Sequence, residues 1–426
     1  MSDQLDIIIV GAGLSGLATS IQCASSGHRV MVLESAKELA EVGAGLQLTP
    51  NATRLLQSWG VYDTIRDRVC EPLTVTVYNY RGKVLAHEEG FDQNIRRKYG
   101  APFSDCHRVD LQQALVKRAK ALGVTFVLDA KVKNIDFGQA SGDRAKVTAA
   151  GSTYTADLVV GADGLWSTCR STFLGRKDMP LPTGDLAYRV VLNIDQLKDQ
   201  KLRDMVQTPA CKFWAGPDAH VVAYSVRGGD MYNIVLLVPD DLGEGVSRSQ
   251  GNTEEMRKFF EGWDPILTEL LECVDTVDKW KLMHRDELDS WINPQFNMVL
   301  IGDSCHPMLP YLAQGANSSI EDGAVLGLLL APENFRSKSQ LPETLQLFQK
   351  LRKARGEGIV RETFKQRKDF HMRDGPEQIQ RDEIMLGQLG RELQGAFPSR
   401  WTCPEVQPWL YGYDAMKEVE AVVRAR

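Results

Sequence analysis

Near its start the chain reads Asp6-Ile7-Ile8-Ile9-Val10-Gly11-Ala12-Gly13-Leu14-Ser15-Gly16, and Glu34 follows eighteen residues after the last of these glycines. The apolar, β-branched run before Gly11 indicates a buried parallel strand. Gly11 permits a tight turn, Gly13 lets the backbone approach a pyrophosphate, and Gly16 lets the next helix pack closely on the sheet. The stretch therefore predicts a βαβ unit that binds a dinucleotide.

The helix after this turn is predicted to run from Leu14 to about Ser26. Backbone N–H groups at its start, including that of Ser15, and the helix dipole favour a bound phosphate. Glu34 stands at the end of the second predicted strand, where a carboxylate accepts hydrogen bonds from a ribose 2′-hydroxyl and repels a 2′-phosphate. These features predict FAD or NAD as the dinucleotide.

Composition excludes several classes of protein. The chain has 426 residues, 43% of them hydrophobic, a formal net charge of −6, and no basic stripe interleaved with aromatic residues, so nucleic acid is not an expected partner. The first residues lack the cationic and apolar regions of a signal peptide. The longest apolar segment, around Ala324 to Ala331, is too short to span a bilayer. We expect a cytoplasmic protein that does not contact membranes.

Cysteine and histidine patterns give no sign of a metal site. The eight cysteines are scattered without a CxxC pair, and the seven histidines include no HExxH motif. Scattered cysteines in a large chain are typical of reduced thiols rather than a disulfide framework. If the protein activates oxygen, we expect it to use an organic cofactor rather than a metal.

Two sheets are predicted along the chain. Alternating strands between about Pro180 and Arg285, including a hairpin around Arg227-Gly228-Gly229-Asp230, predict a mostly antiparallel sheet. The nucleotide-binding fold is predicted to resume with the strand Asn297 to Asp303, and a helix is expected from about Ser318 to Leu330. The remainder is predicted to be helical, with the segment Phe397 to Trp409 packed back over the body.

The sequence leaves two interpretations open for each of two segments, a loop after β-strand-like residues 29–34 and the start of the helix at Arg108. The stretch Glu41-Val42-Gly43-Ala44-Gly45-Leu46-Gln47 is rich in small residues, so it is either a plain connection or a loop whose bare backbone, at Gly45 and Gln47, contacts a flat ligand. Arg108, at the start of an amphipathic helix, is either a surface cation or a ligand of phosphate or ribose.

Three motifs stand in a characteristic order: Gly11 to Gly16 with Glu34, then Asp163-Gly164-Leu165-Trp166-Ser167, then Gly302-Asp303 with Pro307, Pro310 and Gly315. Over essentially the whole chain this closely resembles the single-component FAD-dependent aromatic hydroxylases of the para-hydroxybenzoate hydroxylase fold, and most nearly the fungal salicylate-hydroxylase-like enzymes. The resemblance implies an α/β fold with a Rossmann-like FAD-binding domain, an inserted, mostly antiparallel β-sheet substrate domain and a helical C-terminal segment. The corresponding boundaries are 1–72, 104–180 and 291–342 for the FAD-binding domain, 73–103 and 181–290 for the substrate domain, and 343–426 for the C-terminal segment.

The resemblance also implies roles for individual residues. The first motif would hold the ADP half of FAD, Asp303 in the Gly302-Asp303 pair would bind the ribityl and pyrophosphate region, and Arg108 would contact FAD. The loop Gly315-Ala316-Asn317, preceded by Pro310, would lie beside the flavin ring. Asp163 belongs to a motif that serves both FAD and NAD(P)H. A second GxGxxG motif is absent, as expected if the nicotinamide binds only transiently.

The implied reaction starts when NADH or NADPH reduces the flavin, continues through a flavin hydroperoxide, and ends with one oxygen atom of O2 in a phenolic or aromatic acid substrate. Favouring a phenolate at neutral pH needs about 4 kcal/mol, because a phenol titrates near pH 10. By the resemblance, Arg189 and Tyr224 bind this phenolate. The alternative is that Arg189 pairs with a structural carboxylate and Tyr224 fills the core.

One departure from the family pattern is Tyr311, which follows Pro310 where bacterial salicylate hydroxylases carry a histidine. This weakens the assignment of salicylate and leaves the general base open, while His306 is interpreted as structural. The alternatives are hydroxylation or hydroxylative dearomatisation of a larger secondary metabolite, an FAD oxidase or dehydrogenase, and a flavin-fold binding protein without catalysis. The expected partners are a small aromatic substrate and O2, and the protein is expected to be a monomer or a homodimer.

Overall fold

The computed structural model describes residues 3–39 and 43–425, so Glu41 and Val42 of the predicted contact loop lie outside the described residues. Within these ranges the chain forms eighteen strands and fourteen α-helices. The strands are β1 Asp6–Val10, β2 Arg29–Leu33, β3 Gly45–Leu48, β4 Thr74–Asn79, β5 Val84–Glu89, β6 Ser104–His107, β7 Thr125–Val127, β8 Val132–Asp136, β9 Ala145–Ala149, β10 Ser152–Ala156, β11 Leu158–Gly161, β12 Leu181–Asn193, β13 Ala210–Gly216, β14 Ala219–Val226, β15 Met231–Pro239, β16 Arg248–Gln250, β17 Asp278–His284 and β18 Met298–Leu300. The helices are α1 Leu14–Ser25, α2 Pro50–Ser58, α3 Tyr62–Ile65, α4 Phe91–Tyr99, α5 Arg108–Ala121, α6 Thr168–Leu174, α7 Gln200–Gln207, α8 Thr253–Phe259, α9 Pro265–Glu272, α10 Gln314–Leu329, α11 Leu341–Phe370, α12 Pro376–Gly387, α13 Gln407–Tyr411 and α14 Ala415–Arg424.

A five-stranded parallel sheet, in the order β18-β11-β1-β2-β7, forms the first layer. Its central strand is buried from Ile7 to Val10, because α1 packs on β1 and β2, and α10 packs in turn on α1. At the turn after β1, Gly11 has a φ of +104°, and a Cβ on Gly16 would lie 2.0 Å from the carbonyl oxygen of Gly11. Both positions therefore require glycine, and the predicted βαβ unit is confirmed.

An eight-stranded sheet, in the order β16-β17-β12-β15-β14-β13-β4-β5, forms the second layer. Every neighbouring pair is antiparallel except β13 and β4. Side chains alternate between its two faces. Leu186 and Tyr188 pack in a hydrophobic cluster with residues of α7, α8 and α9, whereas Ala187 and Arg189 face the FAD-binding side. The mostly antiparallel sheet and its hairpin between β14 and β15 are confirmed.

The C-terminal region packs against the edge of this second sheet. Phe397 and Trp401 lie in one hydrophobic cluster with Phe103 and Phe213, so the segment between α12 and α13 does return over the body as predicted. No helix in the described ranges is long and apolar enough to cross a bilayer. The domain boundaries stay predictions.

Two local predictions differ from the structure. Helix α10 begins at Gln314, four residues before the predicted start at Ser318, because Ala313 takes a left-handed conformation with a φ of 51° and turns the chain directly into the helix. Helix α4 was not predicted. It is short and highly charged, and its two buried apolar residues, Phe91 and Ile95, give only a weak helical pattern.

Candidate active site

A groove of about 460 Å³ lies at the carboxyl ends of β1, β2 and β11, bordered by Gly11, Gly13 and Glu34. Parallel strands place their carboxyl ends at one edge, where open α/β sheets bind ligands. Apart from the adjoining residues of the chain, no atom of the described residues lies within 4 Å of the position that a Cβ on Gly13 would occupy, so the backbone there is open to a ligand. Leu14 and Ser15 have buried side chains, and they offer the backbone N–H groups of the first turn of α1, which has no side-chain cap.

Glu34 is held at this groove by the backbone. Its Oε2 accepts a hydrogen bond of 2.7 Å from the N–H of Ala12, and its Oε1 accepts one of 2.7 Å from Ala36. The hydroxyl of Ser35 also donates to Oε1, at 3.1 Å, whereas Oε2 keeps a second acceptor site for a ribose hydroxyl. The geometry is compatible with the predicted ribose contact.

Asp163 borders the same groove, but its carboxylate caps a helix. It accepts hydrogen bonds from the hydroxyl of Ser167 at 2.5 Å and from the N–H of Cys169 at 2.9 Å, at the start of α6. The loop therefore meets the groove through its backbone and through Trp166, whose exposed side chain stands at the rim. The role of Asp163 in binding FAD and NAD(P)H stays a prediction.

A second cavity, of about 230 Å³, lies between the two layers. Its floor is the face of the eight-stranded sheet that carries Arg189, His220 and Tyr224. Arg189 pairs with Val235 of β15, and Val235 pairs with Val222 of β14. Val222 lies midway between His220 and Tyr224 on β14, so these side chains share one face of the sheet. The opposite wall comes from the FAD-binding side and the C-terminal segment: Ala44, Gly45, Leu46, Gln47, Arg108, Asp303, Met308, Leu309, Pro310, Tyr311, Ala313, Gly315, Ala316 and Trp401.

Arg189 enters this cavity without an ion-pair partner among the described residues. Its guanidinium carbon lies 4.8 Å from the centre of the Trp280 ring, and Arg248 covers the same ring at 4.3 Å. The neighbouring carboxylate of Asp278 pairs with Arg248 at 2.9 Å instead. Burial, together with repulsion from Arg108, lowers the pKa of Arg189. A half-buried cation without an ion pair is stabilised by an anionic ligand.

Tyr224 is buried, and burial raises the pKa of its phenol well above the usual value, so it is a neutral hydrogen-bond donor. A Cβ on Gly45 would lie 2.7 Å from Cε2 of Tyr224, and the N–H of Gly45 donates to Asn233 at 2.7 Å. Position 45 therefore requires glycine, because the eight-stranded sheet approaches it too closely for a side chain. Gln47 lines the cavity, but its amide donates to Asp105 at 2.8 Å.

The start of α10 forms the part of the wall where the flavin ring was predicted. Gly315 and Ala316 line the cavity, and α10 has no side-chain cap, so its first N–H groups and the positive end of its dipole face this space. Asp303 also lines it, and burial raises the pKa of its carboxyl group while His306 and Arg108 oppose that shift. Pro310 closes the same wall.

Two residues that were predicted to bind the cofactor, Asn317 and Gly302, do not line the second cavity and lie behind its wall. The side-chain oxygen of Asn317 accepts from the N–H of Thr49 at 2.9 Å, and its amide donates to the carbonyl of Gln47 at 2.8 Å, so it ties β3 to α10. A Cβ on Gly302 would lie 2.9 Å from Ser15, so Gly302 brings the first and third motifs together. Their contact with FAD stays a prediction.

The sequence did not indicate that His220 lines the cavity, nor that His371, Tyr311 and Asp185 lie behind it. His220 lines the cavity and bonds to His371, while the hydroxyl of Tyr311 donates to Asp185 at 2.5 Å. The available signal was the position of His220 four residues before Tyr224, which places both on one face of a strand. Within the described residues, no group of three or more His, Cys, Asp or Glu side chains is arranged to hold a metal ion.

FAD fits this pair of cavities. The open backbone at Gly13, the uncapped start of α1 and the carboxylate of Glu34 suit the ADP half, and the uncapped start of α10 suits a flat ring that carries negative charge. Asp303 lines the second cavity, and Gly302 directly before it lies close to Ser15 of α1.

Comparison with known proteins agrees with this geometry. The family described as "FAD binding domain" matches residues 4–363. The chain is 49% identical to the FAD-dependent monooxygenase OpS4 of Beauveria bassiana (99% of this chain, 98% of the relative) and 31% identical to a 3-hydroxybenzoate 6-hydroxylase of Klebsiella oxytoca (99% and 100%). A solved salicylate hydroxylase with bound substrate shares the fold, with a TM-score of 0.78 at 22% identity over 98% of this chain and 97% of that one. The chain therefore belongs to the FAD binding domain family of FAD-dependent monooxygenases and aromatic hydroxylases, and FAD is its cofactor.

Proposed function

We propose that this enzyme uses NADH or NADPH and O2 to add one oxygen atom to a single-ring phenolic acid. The observation that carries the proposal is Arg189, a half-buried cation that faces the second cavity with no ion-pair partner among the described residues. A substrate phenolate or carboxylate forms an ion pair with Arg189, and Tyr224 donates a hydrogen bond to the same oxygen. Together the two contacts supply free energy of the order that a phenolate needs, since charged hydrogen bonds contribute about 1.5–3 kcal/mol each.

The size of the cavity supports a small substrate. Its volume of about 230 Å³ lies below the roughly 300–1,000 Å³ that is typical of sites for larger organic ligands. Apolar side chains of Val222, Val235 and Leu237 cover the floor and keep water from the ring. This favours a single aromatic ring over a larger secondary metabolite.

FAD, when bound, supplies the activated oxygen, which comes from O2 after reduction by the nicotinamide. The residues of this chain orient the substrate. Arg189 holds its anionic oxygen over the sheet, Tyr224 sets the direction of that oxygen, and the backbone of Gly315 and Ala316 faces the ring from the opposite wall. A phenolate is electron-rich at its ortho and para carbons, so this arrangement favours hydroxylation beside the hydroxyl group.

The test is oxidation of NADH and of NADPH by the purified flavoprotein, with and without a panel of mono- and dihydroxybenzoic acids, under ¹⁸O2. We expect at least one acid to accelerate oxidation and to yield a product with one ¹⁸O atom, and its mass shows whether the carboxyl group is lost. Hydrogen peroxide without an oxygenated product for every acid would contradict the proposal and favour an oxidase.

Replacement of Arg189 by alanine tests the residue that carries the proposal. Arg189→Ala should lower turnover by roughly ten- to hundredfold, which corresponds to one charged hydrogen bond, with FAD content unchanged. Arg248→Ala is the matched control, because Arg248 stacks on the same Trp280 ring but has a side chain that is 43% exposed and paired with Asp278. Equal effects of the two substitutions would remove Arg189 from substrate binding.

A further inference from the structure

A third cavity, of about 700 Å³, lies beside the second cavity on one face of the eight-stranded sheet. It is bordered by β4, β5, α4, α12 and the C-terminal segment, and its floor includes Val77 of β4 and Ala86 of β5. The second cavity, of about 230 Å³, has Val222 and Phe213 in its floor. The third cavity is therefore the larger of the two, and it lies outside the site proposed for the substrate ring.

The floors of the two cavities form one continuous row across the sheet. Six residues are each paired directly with the next: Arg189, Val235, Val222, Phe213, Val77 and Ala86. The first four line the second cavity, and the last two line the third cavity. Because directly paired residues point to the same face of a sheet, one floor runs under both cavities. The sheet itself therefore does not separate them.

The wall between the two cavities is Trp401. It is buried and lines the second cavity, and the next residue, Thr402, lines the third. The indole ring packs on Phe213, with 5.1 Å between the ring centres, at the point of the row where the second cavity ends. Its Nε1 donates to the carbonyl of Tyr311 at 2.9 Å, and the carbonyl of Trp401 accepts from the amide of Gln407 at 2.6 Å. These two hydrogen bonds hold the indole in place.

The row also sets the length that is available to a substrate. Phe213 lies three strands from Arg189, which is about 14 Å at the usual spacing of neighbouring strands. The side chains of Arg189 and Trp401 occupy part of this length at its two ends. A substrate whose anionic oxygen binds Arg189 therefore has room for one aromatic ring before it meets the indole.

We propose that Trp401 is the residue that restricts this enzyme to single-ring substrates, an inference that rests on the proposed function. The indole closes the second cavity at the end opposite Arg189 and separates it from the third cavity. A smaller side chain at this position joins the two cavities above Phe213 and Val77, and the joined cavity admits a phenolic acid with a second, fused ring. Trp401 lies beyond residue 363, where the match to the family ends, so the C-terminal segment adds this restriction to the shared fold.

The test compares the wild type with Trp401→Phe, Trp401→Leu and Trp401→Ala, all as FAD-loaded proteins. The substrates are hydroxybenzoic acids and the hydroxynaphthoic acids with the same arrangement of hydroxyl and carboxyl groups. In the leucine and alanine variants, we expect kcat/KM for the two-ring acids relative to the one-ring acids to rise by about tenfold or more, the scale on which apolar pockets discriminate by size. Trp401→Phe loses the hydrogen bond to Tyr311 but keeps a ring, so its ratio should stay close to that of the wild type.

Binding without turnover is measured by titrating hydroxynaphthoic acid against the absorption spectrum of the bound flavin. The affinity should increase in the leucine and alanine variants. FAD content and near-ultraviolet circular dichroism establish that each variant is folded, and Trp401→Leu carries the test if the alanine variant does not fold. Trp409→Ala is the matched control, because Trp409 belongs to the same C-terminal segment, is 40% exposed and lines neither cavity. Its ratio should equal that of the wild type.

An unchanged ratio in both the leucine and the alanine variant would overturn the role of Trp401 while the proposed function stands. A shift in Trp401→Phe as large as that in Trp401→Ala would also overturn it, because the hydrogen bond to Tyr311 rather than the bulk of the indole would then set the preference. If no one-ring acid stimulates the wild type, the proposed function falls. Tighter binding of hydroxynaphthoic acid to the leucine and alanine variants would then still support Trp401 as the wall, and equal binding would overturn it.

Discussion

Two clusters of the same three residue types stand on opposite sides of the active site. The nucleotide-side cluster is Asp322, Arg352 and His306, and the substrate-side cluster is Asp185, Arg367 and His371. Both aspartates are buried. The pKa of His306 is raised, chiefly by Asp322 against the effect of burial, whereas burial lowers the pKa of His371 to about 4. The same composition therefore raises the pKa of the histidine in one cluster and lowers it in the other.

Geometry explains the difference. In the nucleotide-side cluster Arg352 takes one oxygen of Asp322 at 2.7 Å, and the other oxygen meets Nε2 of His306 at 2.6 Å. In the substrate-side cluster the guanidinium of Arg367 takes both oxygens of Asp185, and His371 stays 3.9 Å away. A carboxylate that is already satisfied stabilises a third partner less. In these two clusters, the pKa of the buried histidine is raised only where a carboxylate oxygen lies within hydrogen-bond distance of it.

The largest expected effect comes from breaking the nucleotide-side cluster. Asp322→Leu leaves His306 and Arg352 with side chains fully buried and without this partner, and it should lower the free energy of unfolding by about 3–5 kcal/mol. Asp185→Leu is the matched substitution. It should cost only about 1–3 kcal/mol, because Arg367 is 36% exposed and can turn to solvent while His371 is already neutral. Urea unfolding of both holoproteins measures this, and equal losses would refute the comparison.

The next effect is an acid-induced loss of stability. A histidine whose folded pKa lies below its unfolded value binds protons more tightly when unfolded, so stability falls as pH drops from about 6.5 to about 4. For His371 this amounts to about 3 kcal/mol. His306 acts in the opposite sense: its contribution is present below pH 6.5 and is lost as pH rises through its raised folded pKa. As pH decreases, the midpoint of unfolding should fall less steeply for His371→Gln than for the wild type. Parallel curves for the two proteins would contradict a lowered pKa of His371.

The smallest expected effect comes from a substitution that makes the substrate-side cluster more similar to the nucleotide-side cluster. Arg367→Ala removes the cation that lowers the pKa of His371 and frees an oxygen of Asp185 to meet it. The pKa of His371 should rise by about one unit, equivalent to about 1.4 kcal/mol, as followed by the ring resonances of ¹⁵N-histidine. Lys365→Ala, on the same helix but exposed and paired with Glu362, serves as control. No shift would show that burial alone sets the pKa.

Local sequence was sufficient where one segment determines the conformation. Gly11 and Gly16 follow from the strand before them and the helix after them, and the hairpin at Gly228-Gly229 follows from its turn residues. The start of α10 was misplaced because a left-handed alanine, Ala313, does what glycine usually does. The helix-capping role of the Asp163 side chain was not foreseen, since a capping interaction depends on local geometry that the motif alone does not specify.

The sequence by itself determined the α/β class, the nucleotide-binding turn and the cofactor, because each rests on a motif within one segment or on a resemblance that spans the chain. The binding of substrate by Arg189 and Tyr224 stays a prediction. Only the tertiary structure decided which charges are paired. His220 and His371 are 151 residues apart, and Tyr311 reaches Asp185 over 126. Burial and distance set the protonation of these groups, and both arise only when the eight-stranded sheet, α11 and the loop before α10 pack together.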